Sequence, residues 1–211
     1  MSSDSDLPAN PTHEGLIAQG CNWTVAQLKA QFTADGDQDI IVGQLYTTTS
    51  GATEIDVEMQ DGALKPSLTI CVYGTISVDW GDNTTPDTVT GSNINSQLHV
   101  THTYASGGNY TITISRESGN TYKFLGSNSY PILKKQSASN VSQNYKYTNS
   151  IKKIRIGEGT TSLSDYAFSY CGSLESITIP NSITNISGYT FIECRNLKCI
   201  IFPSTITSIN S

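Results

Sequence analysis

Charge is scarce in this chain of 211 residues. Only 14% of them are Asp, Glu, Lys or Arg, against about 25% in an average soluble domain, and Thr, Ser, Asn, Gly and Tyr fill the gap. Lys and Arg number 12 against 18 Asp and Glu, for a net charge of −6. The clustered basic surface that a phosphate backbone demands is therefore missing, and no nucleic-acid partner is expected. No apolar run approaches the roughly 20 residues of a membrane-spanning helix, so no membrane insertion is expected either. The N-terminus, Met1-Ser-Ser-Asp-Ser-Asp-Leu-Pro, has neither the basic stretch nor the apolar core of a secretory signal. Cysteines number 5, an odd count, which leaves at least one thiol unpaired, and no structural disulfide is expected.

Catalytic signatures are lacking too. H-E-x-x-H, G-x-S-x-G, the P-loop and C-x-x-C do not occur, and with them go the commonest local signs of a zinc protease, a hydrolase elbow, a phosphate cradle or a redox pair. The chain is read as non-enzymatic, with no catalytic residue, cofactor or metal site. His99 and His102 stand three apart on a predicted strand, hence on opposite faces, and cannot form a paired metal site there. His13 is isolated in a Pro/Asn/Gly-rich arm. Asp79 and Asp82 admit two readings, calcium ligands or caps of a turn, and the second is favoured because a hard cation wants six to eight oxygens.

What the chain does have is a repeat. Cys171, Leu174, Ile177, Ile179 and Pro180 recur as Cys194, Leu197, Ile200, Phe202 and Pro203, each pair 23 residues apart. Phe168 recurs as Phe191, Ile183 as Ile206 and Ile186 as Ile209, while Ile151, Ile154, Ile156 and Leu163 hold the same places one step earlier. This period, with an L-x-x-L-x-L core, describes a leucine-rich-repeat solenoid, whose units bury their apolar side only by stacking on neighbours. Ile154, Ile177 and Ile200 are expected to form one buried ladder, and Ile156, Ile179 and Phe202 the next. The alternate positions point outward: Lys153, Ser176 and Cys199 in one row, Arg155, Thr178 and Ile201 in the other. These six residues are the candidate binding face, although the basic group Lys152, Lys153 and Arg155 also reads as an ordinary solvated surface. Cys171 and Cys194 occupy one repeat position and are expected to stack as small buried apolar groups.

The run Ile183-Thr-Asn-Ile-Ser-Gly-Tyr-Thr-Phe191-Ile-Glu-Cys194-Arg-Asn-Leu197, with its proline after the strand, and Thr161 to Cys171 one repeat earlier, resemble the BspA-like leucine-rich repeats. The resemblance covers residues 150–211. It implies a surface or secreted adhesion protein that binds a host surface protein or glycan.

The middle of the chain has a different rhythm. Residues 54–59, 68–73, 76–80, 98–103 and 110–115 are short Val/Ile/Thr/Tyr-rich segments between Gly, Pro, Asn and Asp clusters, as in a sandwich of strands. In the last of them Tyr110, Ile112 and Ile114 are expected to face the core, and Thr111 and Thr113 the other side. Val78-Asp-Trp80-Gly-Asp82-Asn83, His102-Thr-Tyr104 and Gly108-Asn-Tyr110-Thr-Ile112 resemble the PKD domain, which implies an immunoglobulin-like sandwich used as a spacer or adhesion module. Asn83 stands where that pattern usually has Gly, and Asn is the next residue to tolerate a left-handed turn.

The first fifty residues resemble neither module. Thr24 to Gln27 fits a capping box that opens a short helix, with Val25, Leu28 and Phe32 on one face. The stretch Asn10 to Gly20, followed by Trp23, looks like the N-terminus of leucine-rich-repeat proteins encoded in gut-bacterial phages and prophages. That likeness implies an attachment region carrying Trp23, Val25, Leu28 and Phe32, which contacts other virion proteins or further subunits of a homo-oligomer.

The expected organisation is mainly β: a small α/β attachment region over 1–50, a PKD/Ig-like β-sandwich over 51–127, a connector and repeat cap over 128–150, and a short repeat solenoid over 151–211. Proteolysis is expected in the connector, near Lys134, Lys135 or Lys146. The solenoid is expected to meet a further subunit or further chain at its apolar C-terminal end. Its place is expected to be the surface of a virion, as a fibre or decoration; the alternative is a bacterial cell-surface or secreted adhesin whose export signal has been removed.

Overall fold

A computed structural model describes residues 41–42, 51–61, 64–125, 132–135, 145–203 and 205–209. The expected helix, with Trp23, Val25, Leu28 and Phe32, lies outside them.

The described residues are mainly β. Their strands are β1 (Ile41–Val42), β2 (Thr53–Met59), β3 (Pro66–Asp79), β4 (Asp87–Thr101), β5 (Gly108–Arg116), β6 (Thr121–Phe124), β7 (Leu133–Lys135), β8 (Ile151–Arg155), β9 (Thr160–Leu163), β10 (Ser176–Thr178), β11 (Asn185–Ile186), β12 (Cys199–Phe202) and β13 (Ser208–Ile209), with one helical turn at Tyr145–Thr148. Among the described residues all of these strands belong to one curled sheet, in the order β1-β12-β10-β8-β2-β5-β3-β6-β9-β11-β13, with β4 and β7 also paired to β3.

The two arms of this sheet are the two faces of the solenoid. In one, β8, β10 and β12 run parallel, with Ile177 opposite Ile154 and Ile200. In the other, β9, β11 and β13 run parallel, with Ile186 opposite Leu163 and Ile209. Ile154, Leu163, Ile177, Ile186 and Ile200 are all buried between the arms. The 23-residue period thus becomes a register in which each rung places the same side chain above its predecessor, the nearest-neighbour stacking on which solenoids rely. Phe168 stacks on Phe191 with ring centroids 5.8 Å apart, and Tyr166 on Tyr189 at 5.0 Å. Tyr166 and Tyr189 share a left-handed backbone (φ 59° and 55°), as do Tyr170 and Glu193 (φ 60° and 61°), again 23 residues apart.

The antiparallel part is continuous with both arms. β2 pairs with β8, and β6 lies parallel to β9. The bend lies in β3, whose N-terminal half pairs with β7 and β6 and whose C-terminal half pairs with β5. Strands that switch sheets do so at bulges or glycines, and both are here: the β3–β4 register shifts between Cys71 and Tyr73, and Gly74 takes φ 90°. A side chain at Gly74 would collide with Asn120, whose Nδ2 donates to the Thr75 carbonyl (2.8 Å). The two strands expected over 68–73 and 76–80 are therefore one, because glycine lets the chain turn without ending the ladder. β4 likewise begins eleven residues before the expected 98, since the long β3 offers it a partner down to Val78, opposite Asp87.

Residues 128–150 are partly built into this frame. β7 pairs with Pro66–Leu68, and Ile132, Leu133, Lys134 and Tyr147 are buried, so cleavage at Lys134 requires β7 to leave the sheet. On the far side β1 pairs in parallel with β12, Ile41 opposite Ile201. The exposed edge of that last rung is thus occupied by chain from the N-terminal region.

Candidate binding face

Alternate positions of five strands line up across the seam. Thr113, Glu54, Arg155, Thr178 and Ile201 stand side by side on β5, β2, β8, β10 and β12; Thr111, Asp56, Lys153, Ser176 and Cys199 form the neighbouring row. Four strand spacings make this face about 19 Å wide. The six candidates on the repeat strands are brought together as their spacing suggests, and β2 and β5 extend their rows. Lys153 is exposed, while Arg155, Ser176, Thr178 and Ile201 are half-buried. For Cys199 the described residues settle the strand register alone.

The extension changes what Arg155 does. Its Nε donates to a Glu54 carboxylate oxygen (2.6 Å), and its two terminal nitrogens donate to the two oxygens of Asp56 (3.0 and 3.1 Å). Thr111 Oγ1 donates to Asp56 as well (2.8 Å), and Lys152 pairs with Glu58 at 3.1 Å. Burial works against the Asp56 carboxylate, yet the hydrogen bonds from Arg155 and Thr111 outweigh it and hold its pKa below the ordinary value. The bonds to Asp56, and after them the one to Glu54, raise the pKa of the guanidinium against the cost of burial. The basic group on β8 is thus not simply a solvated face: alternate acids of β2, Glu54, Asp56 and Glu58, meet it across the strand pair. Both patterns are visible in the chain, but nothing local says that these two strands are neighbours.

The Trp-Gly-Asp-Asn turn is held by its own side chains. Asp79 Oδ1 accepts from the Gly81 amide (2.9 Å), and Asp82 Oδ1 from the Thr84 amide and hydroxyl (3.2 and 2.6 Å). Asp82 Oδ2 lies 2.8 Å from His102 Nε2, and that imidazole stacks on Trp80 with centroids 4.9 Å apart. Tyr104 donates its hydroxyl to the Trp80 carbonyl (2.9 Å), and Trp80 Nε1 donates to Asp87 (2.7 Å). Burial opposes the Asp82 carboxylate, but the hydrogen bonds from Thr84 and His102 keep its pKa low. Asn83 takes φ 64°, the left-handed position expected of it. Both aspartates therefore cap the turn. β4 ends at Thr101, so His102 lies beyond the strand that carries His99 and the two do not share it as expected; His99 Nδ1 is 3.4 Å from Thr69 Oγ1 and its Nε2 3.4 Å from Lys134 Nζ.

Cys171 and Cys194 are buried and free. Cys194 Sγ donates to the Phe168 carbonyl (3.1 Å), and burial pushes its thiol pKa up to about 12 and that of Cys171 well above the ordinary value.

A family model described as "BspA type Leucine rich repeat region" matches residues 111–211 in 6 copies. The C-terminal part of the chain is similar to leucine-rich-repeat regions of this type. The match begins inside β5, earlier than the visible period at Ile151, in keeping with β6 pairing in parallel with the repeat strand β9. No curated protein and no solved structure matches the chain.

Proposed function

We propose that the chain is a non-enzymatic adhesion protein that uses the five-strand face to hold a host surface. The observation that carries this reading is the in-register double row of alternate strand positions running from β5 to β12. Such a ridged, mostly polar surface offers many weak contacts rather than one reactive centre, and extended faces of this kind are how solenoids engage partners. BspA-type repeats support the same role. Residues 51–127, whose described strands are the antiparallel β2 to β6, are read as a PKD-like sandwich that caps the solenoid and carries its face onward. The setting we favour is a virion surface, as a fibre or decoration attached through residues 1–50 to other virion proteins or to further copies of the chain. The likeness of residues 10–23 to phage-encoded repeat proteins supports it. A bacterial cell-surface adhesin is the second reading, supported by the repeat type itself.

The test of adhesion is fluorescence labelling of a panel of intact gut-bacterial cells with the purified chain. Saturable labelling of at least one strain, lost when Ser176→Arg and Thr178→Arg are combined at unchanged melting temperature, is the expected result. Equal labelling by the double variant removes this face. For the setting, immunogold against the chain should decorate phage particles; gold confined to the envelope of uninfected cells selects the second reading.

A further inference from the structure

A cleft of about 550 Å³ opens beside the starts of β8, β10 and β12, lined by Asn149, Tyr170, Gly172, Glu193, Arg195 and Asn196. It exists because one rung lacks a side chain. Asn149, Gly172 and Arg195 occupy the same repeat position, 23 residues apart, so Gly172 leaves a notch between two long side chains. Two rung spacings separate its walls, about 9.6 Å. The Asn149 carboxamide oxygen already accepts the Gly172 amide across the floor (3.1 Å).

We propose that this notch binds a neutral saccharide residue. Its lining offers the half-buried ring of Tyr170, two exposed carboxamides at Asn149 and Asn196, and the Glu193–Arg195 pair at 2.7 Å. An aromatic ring presents a flat apolar face with a polar rim, which suits the C–H face of a pyranose. Carboxamides supply donors and acceptors together, as hydroxyl groups require. The acid and the guanidinium cancel in charge, which disfavours a phosphate, a sulfated chain or a cationic peptide. Among the described residues no large aliphatic side chain lines the notch to anchor a peptide. Tyr170 and Glu193 present their side chains here from left-handed backbone positions (φ 60° and 61°). The inference rests on the reading of the chain as an adhesion protein, but the notch uses none of the residues of the strand-face double variant.

The experiment is native affinity electrophoresis of the full chain through gels containing mannan, dextran, xyloglucan, heparin or gelatin. Retardation by at least one of the three neutral polysaccharides is expected, with affinity falling at least tenfold in both Gly172→Asn and Tyr170→Asn. Gly172→Asn fills the notch with the residue of the preceding rung while keeping every lining side chain. Tyr170→Asn removes the ring at a residue type that tolerates the left-handed backbone. Retardation unchanged in Gly172→Asn overturns the proposal, as does retardation of the wild type by heparin or gelatin alone, or by none of the five. The Ser176→Arg/Thr178→Arg variant separates the two sites: saccharide retardation kept while cell labelling is lost supports two separate sites, whereas retardation lost in this variant places the saccharide contact on the strand face and overturns the notch.

Discussion

Arg155 on β8 holds Asp56 on β2 through two parallel hydrogen bonds of 3.0 and 3.1 Å, although the two residues are 99 positions apart in the chain. This fork joins the antiparallel part of the sheet to the first repeat strand. A planar guanidinium fits a carboxylate in a way a lysine cannot.

Arg155→Lys is therefore expected to weaken the seam. The side chain is 36% exposed, so solvent screens the pair and the loss is discounted to about 1 kcal/mol, or roughly 2–4 °C in melting temperature for a chain of this size. A double-mutant cycle with Asp56→Asn measures the coupling. Strict additivity of the two substitutions would show that the fork contributes nothing.

Acid is expected to loosen both Asp56 and the Trp-Gly-Asp-Asn turn. The folded pKa of Asp56 and of Asp82 lies below the ordinary aspartate value of 3.8. Each carboxylate thus contributes stability that is fully present well above pH 3.8 and is lost as pH falls from there through the lower folded value. Melting temperatures of the wild type, Asp56→Asn and Asp82→Asn between pH 7 and pH 2.5 check this. The variants should converge on the wild type at the acid end, and parallel curves would remove these two groups from the acid response.

Ile177 and Thr178 point to opposite faces of β10, the first fully buried and the second half-exposed. Ile177→Asp places a carboxylate between two isoleucines and is expected to cost several kcal/mol or to abolish folding. Thr178→Asp, one residue on, is expected to stay within about 0.5 kcal/mol of the wild type. Urea unfolding followed by circular dichroism compares them, and similar midpoints would mean the register is shifted by one residue.

Cys171 and Cys194 are expected to resist alkylation. Their thiols are buried and their pKa values raised, so almost no thiolate is present at pH 8, and the thiolate is the nucleophile. Iodoacetamide followed by peptide mapping should modify both only after guanidinium unfolding. Modification within minutes in native buffer would show that the repeat opens locally.

The repeat was legible because its information is local and redundant. Each rung specifies itself through Leu174, Ile177 and Ile179 and then again through Leu197, Ile200 and Phe202, and a fixed period turns that redundancy into a register. Alternation in β5 was legible for the same reason: Ile112 and Ile114 are buried and Thr111 is exposed. Gly74 misled the reading of β3, since a glycine between two strand-like runs marks a turn as readily as a bend inside one strand. The notch was hidden in plain view as a glycine where the flanking repeats have Asn149 and Arg195, a gap that matters only once the rungs are stacked.

The chain by itself thus determined what repeats, which side chains enter the core and that Asn83 accepts a left-handed backbone, because these depend on spacings of a few residues or one period; the left-handed positions of Tyr166, Tyr170, Tyr189 and Glu193 carry no such mark. Only the tertiary structure decided that β2 lies against β8, that β6 lies against β9, and that Arg155 is tied to Glu54 and Asp56. Strand pairing is made by backbone groups that every residue carries alike. Which distant edges meet is therefore settled by the folded sheet as a whole and leaves no local mark in the sequence.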